Sequence, residues 1–183
     1  MNAMPIKVPS SKGYLLVDST KCSGCRNCML ACSLVHGGKI SLSLSRIQIT
    51  QDVLERFPED IAIHQCRQCV SPLCVEACPT GALTADAENG NIRTVNEAKC
   101  DGCMLCIDAC PYTPHRVIWN RERGVAVKCD LCADTPYWSE KGGPYGKQAC
   151  VEVCPMKAIV FTSEVPSQAG DEGYEVNLRS EEQ

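Results

Sequence analysis

Aromatic residues are scarce in this chain: two Phe, two Trp and five Tyr make up 5% of 183 residues. Large aromatic side chains supply much of the buried area of an ordinary core, so hydrophobic burial alone is thin support for a chain of this length. No apolar run approaches the roughly 18 residues of a membrane span, so no direct membrane crossing is expected. Positive charge is short as well, with 18 Lys and Arg against 22 Asp and Glu and a formal net charge of -4. Nucleic acid requires a basic surface and is excluded as a partner on that ground. The opening residues, M-N-A-M-P-I-K-V-P-S-S-K-G-Y, carry neither an apolar export core nor twin arginines, which makes the cytoplasm the expected location. No Ser-His-Asp set, phosphate loop or dinucleotide fingerprint is present, so the chain reads as not catalytic alone.

What the chain has is cysteine, 16 residues of it. In a reducing compartment, clustered cysteines point to metal before disulfide. The stretch Lys99 to Pro111 places Cys100, Cys103, Cys106 and Cys110 as C-x-x-C-x-x-C-x-x-x-C-P, the run of bacterial iron–sulfur ligation. Three thiolates on a tight loop can grip three corners of a [4Fe-4S] cubane, while the fourth reaches another cluster. The pattern occurs four times. Motif one is Cys22, Cys25, Cys28 and Cys32, with Ser33 where proline would stand. Motif two is Cys66, Cys69, Cys74 and Cys78, with four residues in its middle gap, and motif four is Cys129, Cys132, Cys150 and Cys154, with 17. Zinc sites pair one C-x-x-C with another and need neither the third cysteine nor the proline. Only motif four, taken alone, would suit zinc. No thioredoxin-like βαβ context surrounds any pair. Four [4Fe-4S] clusters are therefore expected, and the acidity they add would favour a partner with a basic patch.

Between the motifs the pattern is one of short elements. Tyr14 to Val17 reads as a strand and Arg26 to Val35 as a short helix stopped by Gly37-Gly38. Residues 39–50 alternate, with a phase slip near Ser45-Arg46, and read as a strand pair or a bulged strand. Ile61 to Ile63 reads as a strand, residues 80–84 and 92–95 as a hairpin, residues 116–120 and 124–128 as another, and Ala158 to Phe161 as a closing strand. The chain is thus an α+β internal repeat of hairpin, cysteine loop and one-turn helix. No single copy can bury a core, so metal binding should substitute for hydrophobic burial. The insert between Cys132 and Cys150 reads as a loop carrying Tyr137, Trp138 and Tyr145, either a docking anchor or a self-packed loop. Residues 163–183 read as an acidic tail. Lys21, Lys99 and Lys128 precede the first cysteines of their motifs and are expected to meet solvent rather than offset cluster charge. His36, His64 and His115 read as surface or capping residues rather than as groups that tune a cluster.

In two-cluster ferredoxins the fourth cysteine of each motif ligates the cluster of the other. Motifs two and three are 21 residues apart and can form one such pair: Cys66, Cys69 and Cys74 with Cys110, and Cys100, Cys103 and Cys106 with Cys78. Motif one would then pair with motif four, joining Cys22, Cys25 and Cys28 to Cys154, and Cys129, Cys132 and Cys150 to Cys32. Spacing does not exclude sequential pairing of one with two and three with four.

The whole span from Cys22 to Pro155 resembles the four-cluster ferredoxin-type subunits of the dimethyl sulfoxide reductase iron–sulfur family, electron relays for molybdenum or tungsten enzymes. The resemblance implies the nested pairing. It also implies a ferredoxin-like fold of two nested dicluster modules, with residues 1–60 and 116–162 forming the outer module and 61–115 the inner one. Ala31 to His36 (A-C-S-L-V-H), Ser45 to Ile47 and Gly142 to Pro155 resemble a narrower branch. That branch comprises small subunits beside tungsten aldehyde oxidoreductase-type catalytic subunits, including those of class II benzoyl-CoA reductases. The implied role is an electron-transfer subunit between a further redox partner and a tungsten or molybdenum pterin catalytic subunit. The alternative is a freestanding polyferredoxin that diffuses between partners.

Overall fold

The computed structural model describes residues 8–133, 135 and 148–166. The loop aromatics Tyr137, Trp138 and Tyr145 and the tail from residue 167 lie outside the described residues. Among the described residues the order is β1 (Tyr14–Val17), α1 (Asn27–Gly37), β2 (Gln48–Gln51), β3 (Ile61–His64), α2 (Leu73–Glu76), β4 (Leu83–Asp86), β5 (Ile92–Val95), α3 (Leu105–Asp108), β6 (Val117–Asn120), β7 (Val125–Lys128), α4 (Ala149–Glu152) and β8 (Ile159–Thr162). The strands form antiparallel ribbons of two, β1 with β8, β2 with β3, β4 with β5 and β6 with β7. None of these helices is long and apolar enough to cross a membrane.

The hairpins follow their turn chemistry. In β4–β5 the Asp86 carboxylate accepts from Glu88 N–H at 3.0 Å and Asn89 N–H at 3.3 Å, while Gly90 (φ 68) and Asn91 (φ 59) supply the left-handed pair that brings the chain back. Aspartate and asparagine favour such turns because a short polar side chain can replace a backbone partner. In β6–β7 the Asn120 side-chain oxygen does the same for Glu122 and Arg123 N–H.

The ribbon β1–β8 joins the two ends of the described fold. Tyr14 pairs with Thr162 and Val17 with Ile159, so the strand that leads into motif one is hydrogen-bonded to the strand that leaves motif four. Helix packing follows the same division, with α1 on α4 and α2 on α3. The larger core gathers Leu15, Val17, Met29, Ile47, Ile49, Ile61, Ile63, Leu131 and Ile159 around seven buried cysteines. A smaller core holds Leu83, Val117 and Ala126 with Cys106. Thiols thus occupy positions that aromatic and aliphatic side chains fill in other small domains.

One expected element differs. Residues 39–45 are not a strand: Leu42–Leu44 is a 3-10 turn and the strand begins only at Gln48. The alternating Ile40 and Leu42 are 66% and 39% exposed. A period-two pattern directs a strand only where one face has a core to meet, and this one has none. The phase slip near Ser45 is where the Ser45 hydroxyl, fully buried, donates to Ile47 O at 2.5 Å and turns the chain into β2.

Candidate metal centres

Each cysteine motif is a loop wound around a point, and the winding has one recurring device. The residue just before the second cysteine is left-handed in all four motifs: Gly24 (φ 69), Gln68 (φ 51), Gly102 (φ 78) and Leu131 (φ 56). Glycine adopts this region freely, whereas other residues are held there at about 1–2 kcal/mol. At Gly102 space is also short, because a Cβ would stand 3.1 Å from Gly124 O and 3.2 Å from the Trp119 ring. Gln68 and Leu131 are fully buried and held by their surroundings. The Gln68 amide donates to Cys129 O at 2.9 Å and accepts Arg93 N–H at 2.8 Å. Motifs one and three share a second device, a 3-10 turn capped by Asp18 or Asn96, whose side chains accept from Thr20 and Ala98 N–H at 3.1 Å.

Eight of the sixteen thiols line two cavities, and the other eight group by their mutual electrostatic influence. Cys22, Cys25, Cys28 and Cys154 line one cavity, walled by Ile49, Ile63, Ala158 and Ile159. Cys66, Cys69, Cys74 and Cys110 line a second, with Pro72, Leu73 and Val117. Cys106 lies in the field of Cys78, Cys100 and Cys103. Cys150 lies in that of Cys129, Cys132 and Cys32, and more distantly of Cys28. Cys25 and Cys103 are exposed.

These sets suit a multi-iron cluster. Burial first, then neighbouring thiols, push Cys28 and Cys74 up to about 12 and Cys106 to about 11, while burial and then the Asp130 carboxylate and Cys32 push Cys132 up to about 12. Four such groups cannot ionise together in a low-dielectric site without cationic charge between them. Among the described residues no three metal-binding side chains converge on a position for a single ion. The fourth cysteine of each motif also has amide support. Arg46 N–H donates to Cys32 Sγ at 3.3 Å, Arg116 N–H to Cys110 Sγ at 3.2 Å and Ala158 N–H to Cys154 Sγ at 3.3 Å. Burial would raise the Cys78 pKa, but hydrogen bonds from Leu83 N–H and from Thr80 outweigh it. Such donors stabilise negative sulfur.

Two expectations about flanking residues are corrected. His36 is not a surface residue. Its side chain is 6% exposed, with Nδ1 2.8 Å from Cys32 O and 3.7 Å from Cys32 Sγ and Nε2 2.9 Å from Asp130 Oδ1. Burial disfavours its charge, yet the bonds to Asp130 and Cys32 prevail and lift its pKa to about 9. Asp130 also accepts Arg46 Nη1 at 2.5 Å and Cys132 N–H at 3.0 Å. Its own burial is outweighed by His36 and Arg46, which hold it well below the carboxylate range. Lys128 does not meet solvent: it is 2% exposed, and its ammonium donates to the carbonyls of Arg93 and of Cys129, the latter at 2.8 Å. Lys21 and Lys99 are exposed, as expected. His64 bonds Thr50 Oγ1 at 2.8 Å, and His115 lies 3.3 Å from Cys110 O, both in supporting roles. Sequence reasoning assigns no role to Arg46, Arg67, Arg93, Arg116 or Asp130; Arg46 is signalled by the phase slip and the Ser45 to Ile47 stretch, the others only by nearness in sequence to cysteines or to a hairpin.

Residues 59–164 match one 4Fe-4S dicluster domain family and residues 14–79 another. The polyferredoxin-like subunit of the aliphatic sulfonate oxidoreductase of Pyrococcus furiosus is 40% identical over 141 residues, covering 77% of this chain and 70% of that one. The thiosulfate reductase electron transfer subunit PhsB of Salmonella typhi is 35% identical over 152 residues, covering 80% and 73%. Among solved structures, the active site complex BamBC of benzoyl coenzyme A reductase with 1,5 dienoyl-CoA aligns with a TM-score of 0.45 and 18% identity, over 87% of this chain and 81% of that chain. With most of its length matched, and with relatives that are iron–sulfur electron-transfer subunits of oxidoreductases, the chain belongs to the 4Fe-4S dicluster domain family.

Proposed function

We propose that the sixteen cysteines hold four [4Fe-4S] clusters in the nested pairing and that the chain is the electron-relay subunit of a cytoplasmic oxidoreductase. Its partners on this reading are a tungsten or molybdenum pterin catalytic subunit and a second redox protein. When bound, such a cluster takes up and releases one electron with little change of shape. The residues described here do the rest: thiolates hold, amide N–H groups stabilise sulfur, and aliphatic walls exclude water.

The observation that carries the relay reading is the sharing of helices between sets. Helix α1 holds Cys28 of one set and Cys32 of the next, and α4 with the residues just after it holds Cys150 and Cys154 of the same two. Helices α2 and α3, with the residues just after them, do likewise for the other two sets through Cys74, Cys78, Cys106 and Cys110. Cys129 lies in the field of Cys66, which bridges the two halves. On this reading the sets follow one another in a row. Exposed Cys25 stands at one end and exposed Cys103 at the other, as suits entry and exit of electrons. On the same reading residues 1–60 and 116–162 form the outer module around residues 61–115.

The test is anaerobic affinity purification from the native host, with iron, tungsten, molybdenum and nickel quantified on what co-elutes. A stable complex containing tungsten or molybdenum is expected. A lone chain rich in iron, with no second metal or partner, would replace the relay by a diffusing polyferredoxin.

A further inference from the structure

The four thiol sets differ in the charge that surrounds them. Besides its cysteines, the cavity of Cys66, Cys69, Cys74 and Cys110 is lined by four cationic residues, Arg67, Arg93, Arg116 and Lys128. Three of them are deeply buried, at 8% for Arg67, 1% for Arg93 and 2% for Lys128. Arg93 Nη1 donates to Pro9 O at 2.9 Å and to Asn91 O at 2.5 Å, and Nη2 to Cys69 O at 2.7 Å, while its Nε is buried with no hydrogen-bond partner. Arg116 donates to Pro114 O at 2.5 Å, lies 5.2 Å from the Tyr112 ring centroid, and also has a buried Nε without a partner. The ion pairs among the described residues include none of Arg93, Arg116 or Lys128. The carboxylate whose field Lys128 enters, Asp130, already accepts from His36 and Arg46.

Buried cations such as Arg93 and Lys128, whose hydrogen bonds go to neutral carbonyls, are costly unless an anion compensates them. Cysteine thiolates around an iron–sulfur core supply a net negative charge in this cavity, and it grows by one on reduction. Among the described residues the other sets are surrounded differently. At the cavity of Cys22, Cys25, Cys28 and Cys154 the lining cation is Arg26, which is exposed. Beside Cys32 and Cys129, Arg46 and His36 face Asp130. Near Cys103 the neighbouring charge is Asp101, whose Oδ1 accepts Cys103 N–H at 3.1 Å.

We propose that Arg67, Arg93, Arg116 and Lys128 form a cationic cage that makes the Cys66/Cys69/Cys74/Cys110 centre the highest-potential station of the relay, the site where a single electron rests. This inference rests on the four-cluster reading. The cations are positioning residues that act through charge. The electron comes from an adjacent centre, which is oxidised by one electron as this one is reduced.

The test is an EPR-monitored redox titration of the iron-loaded full chain, poised with dithionite as reductant and ferricyanide as oxidant. Cys69→Ser assigns the centre, because a serine ligand alters the spectrum of that cluster. The assigned signal is expected to be the first to appear on reduction. Lys128→Gln and Arg116→Gln should each lower the reduced-to-oxidised ratio of that signal at fixed potential at least tenfold, about 59 mV for a one-electron couple. The other signals should move less, and Arg116→Lys should restore the native value. Arg116 is the less buried of the two substituted cations, so one variant remains informative if Lys128→Gln fails to fold. A Cys69-dependent signal that is not first to reduce, or charge variants that leave it in place, would overturn the cage while keeping the four-cluster reading. If Cys69→Ser changed no signal and the iron fell short of four cubanes, that reading and the cage would fail together.

Discussion

Replacing Asp130 by Asn keeps the shape of a nearly buried side chain and removes its charge. The native carboxylate, with 4% of its side chain exposed, receives His36 Nε2 at 2.9 Å, Arg46 Nη1 at 2.5 Å and Cys132 N–H at 3.0 Å. An asparagine oxygen can accept from only part of that set, and its NH2 must face a donor. Arg46 keeps a weak second partner in Glu97, 3.9 Å from its Nη2. Removing one partner of a buried ion pair costs about 3–5 kcal/mol, chiefly because the remaining charge is stranded. If half of that cost, roughly 1.5–2.5 kcal/mol, falls on the step that opens this corner, iron loss from it accelerates roughly 10- to 70-fold. The assay is anaerobic chelator challenge of the iron-loaded chain, followed by visible charge-transfer absorbance and by EPR. The fast phase should belong to the signal that depends on Cys32, Cys129, Cys132 and Cys150. Adding Arg46→Met removes the stranded charge, so the double variant should release iron more slowly than Asp130→Asn alone. A single variant less than about threefold faster than native, or one that loses iron from every centre at one rate, would refute this account of the corner.

Two further outcomes follow from the site geometry. Cys110 lines the cavity of Cys66, Cys69 and Cys74, so Cys110→Ala should abolish or convert the EPR signal assigned by Cys69→Ser; loss confined to the Cys100/Cys103/Cys106 signal would contradict the pairing. Gly102→Ala must keep a left-handed backbone and place Cβ 3.1 Å from Gly124 O, whereas Gly81→Ala has the same backbone requirement at φ 64 in open space. Gly102→Ala should therefore cost more than the about 1 kcal/mol expected for Gly81→Ala, and comparing iron retention in urea for the two checks it, equal loss counting against the steric argument.

Much of this arrangement is written locally. Cysteine spacing gives the four loops, and Glu88-Asn89-Gly90-Asn91 marks a turn because asparagine and glycine tolerate positive φ. The ribbon of β1 with β8 was not legible, since strand pairing across nearly the whole chain leaves no short-range pattern. Residues 39–45 misled for the opposite reason: they carry a strand's alternation without a core beneath it. The left-handed turn before the second cysteine is signalled by Gly24 and Gly102 but not by Gln68 or Leu131, where burial imposes it. Lys128 reads as solvent-facing, and Arg93 draws no reading, because no protein partner is evident in sequence. Lys128 and Arg93 are buried all the same.

That last contrast separates two kinds of buried charge. Around Asp130 the protein supplies both signs, so the corner is electrically closed by its own side chains. Around Cys66, Cys69, Cys74 and Cys110 it supplies Arg93, Arg116 and Lys128, with carbonyls to hold them and no carboxylate of the ion pairs described here turned toward those three. An anionic charge filling the cavity would offset the cost of burying those cations. In the proposed assembly that charge belongs to the thiolate-ligated clusters, which makes metal loading part of folding rather than a later step. The shortage of aromatic side chains has the same origin: where iron and sulfur carry the binding energy, the core needs little else to close around them.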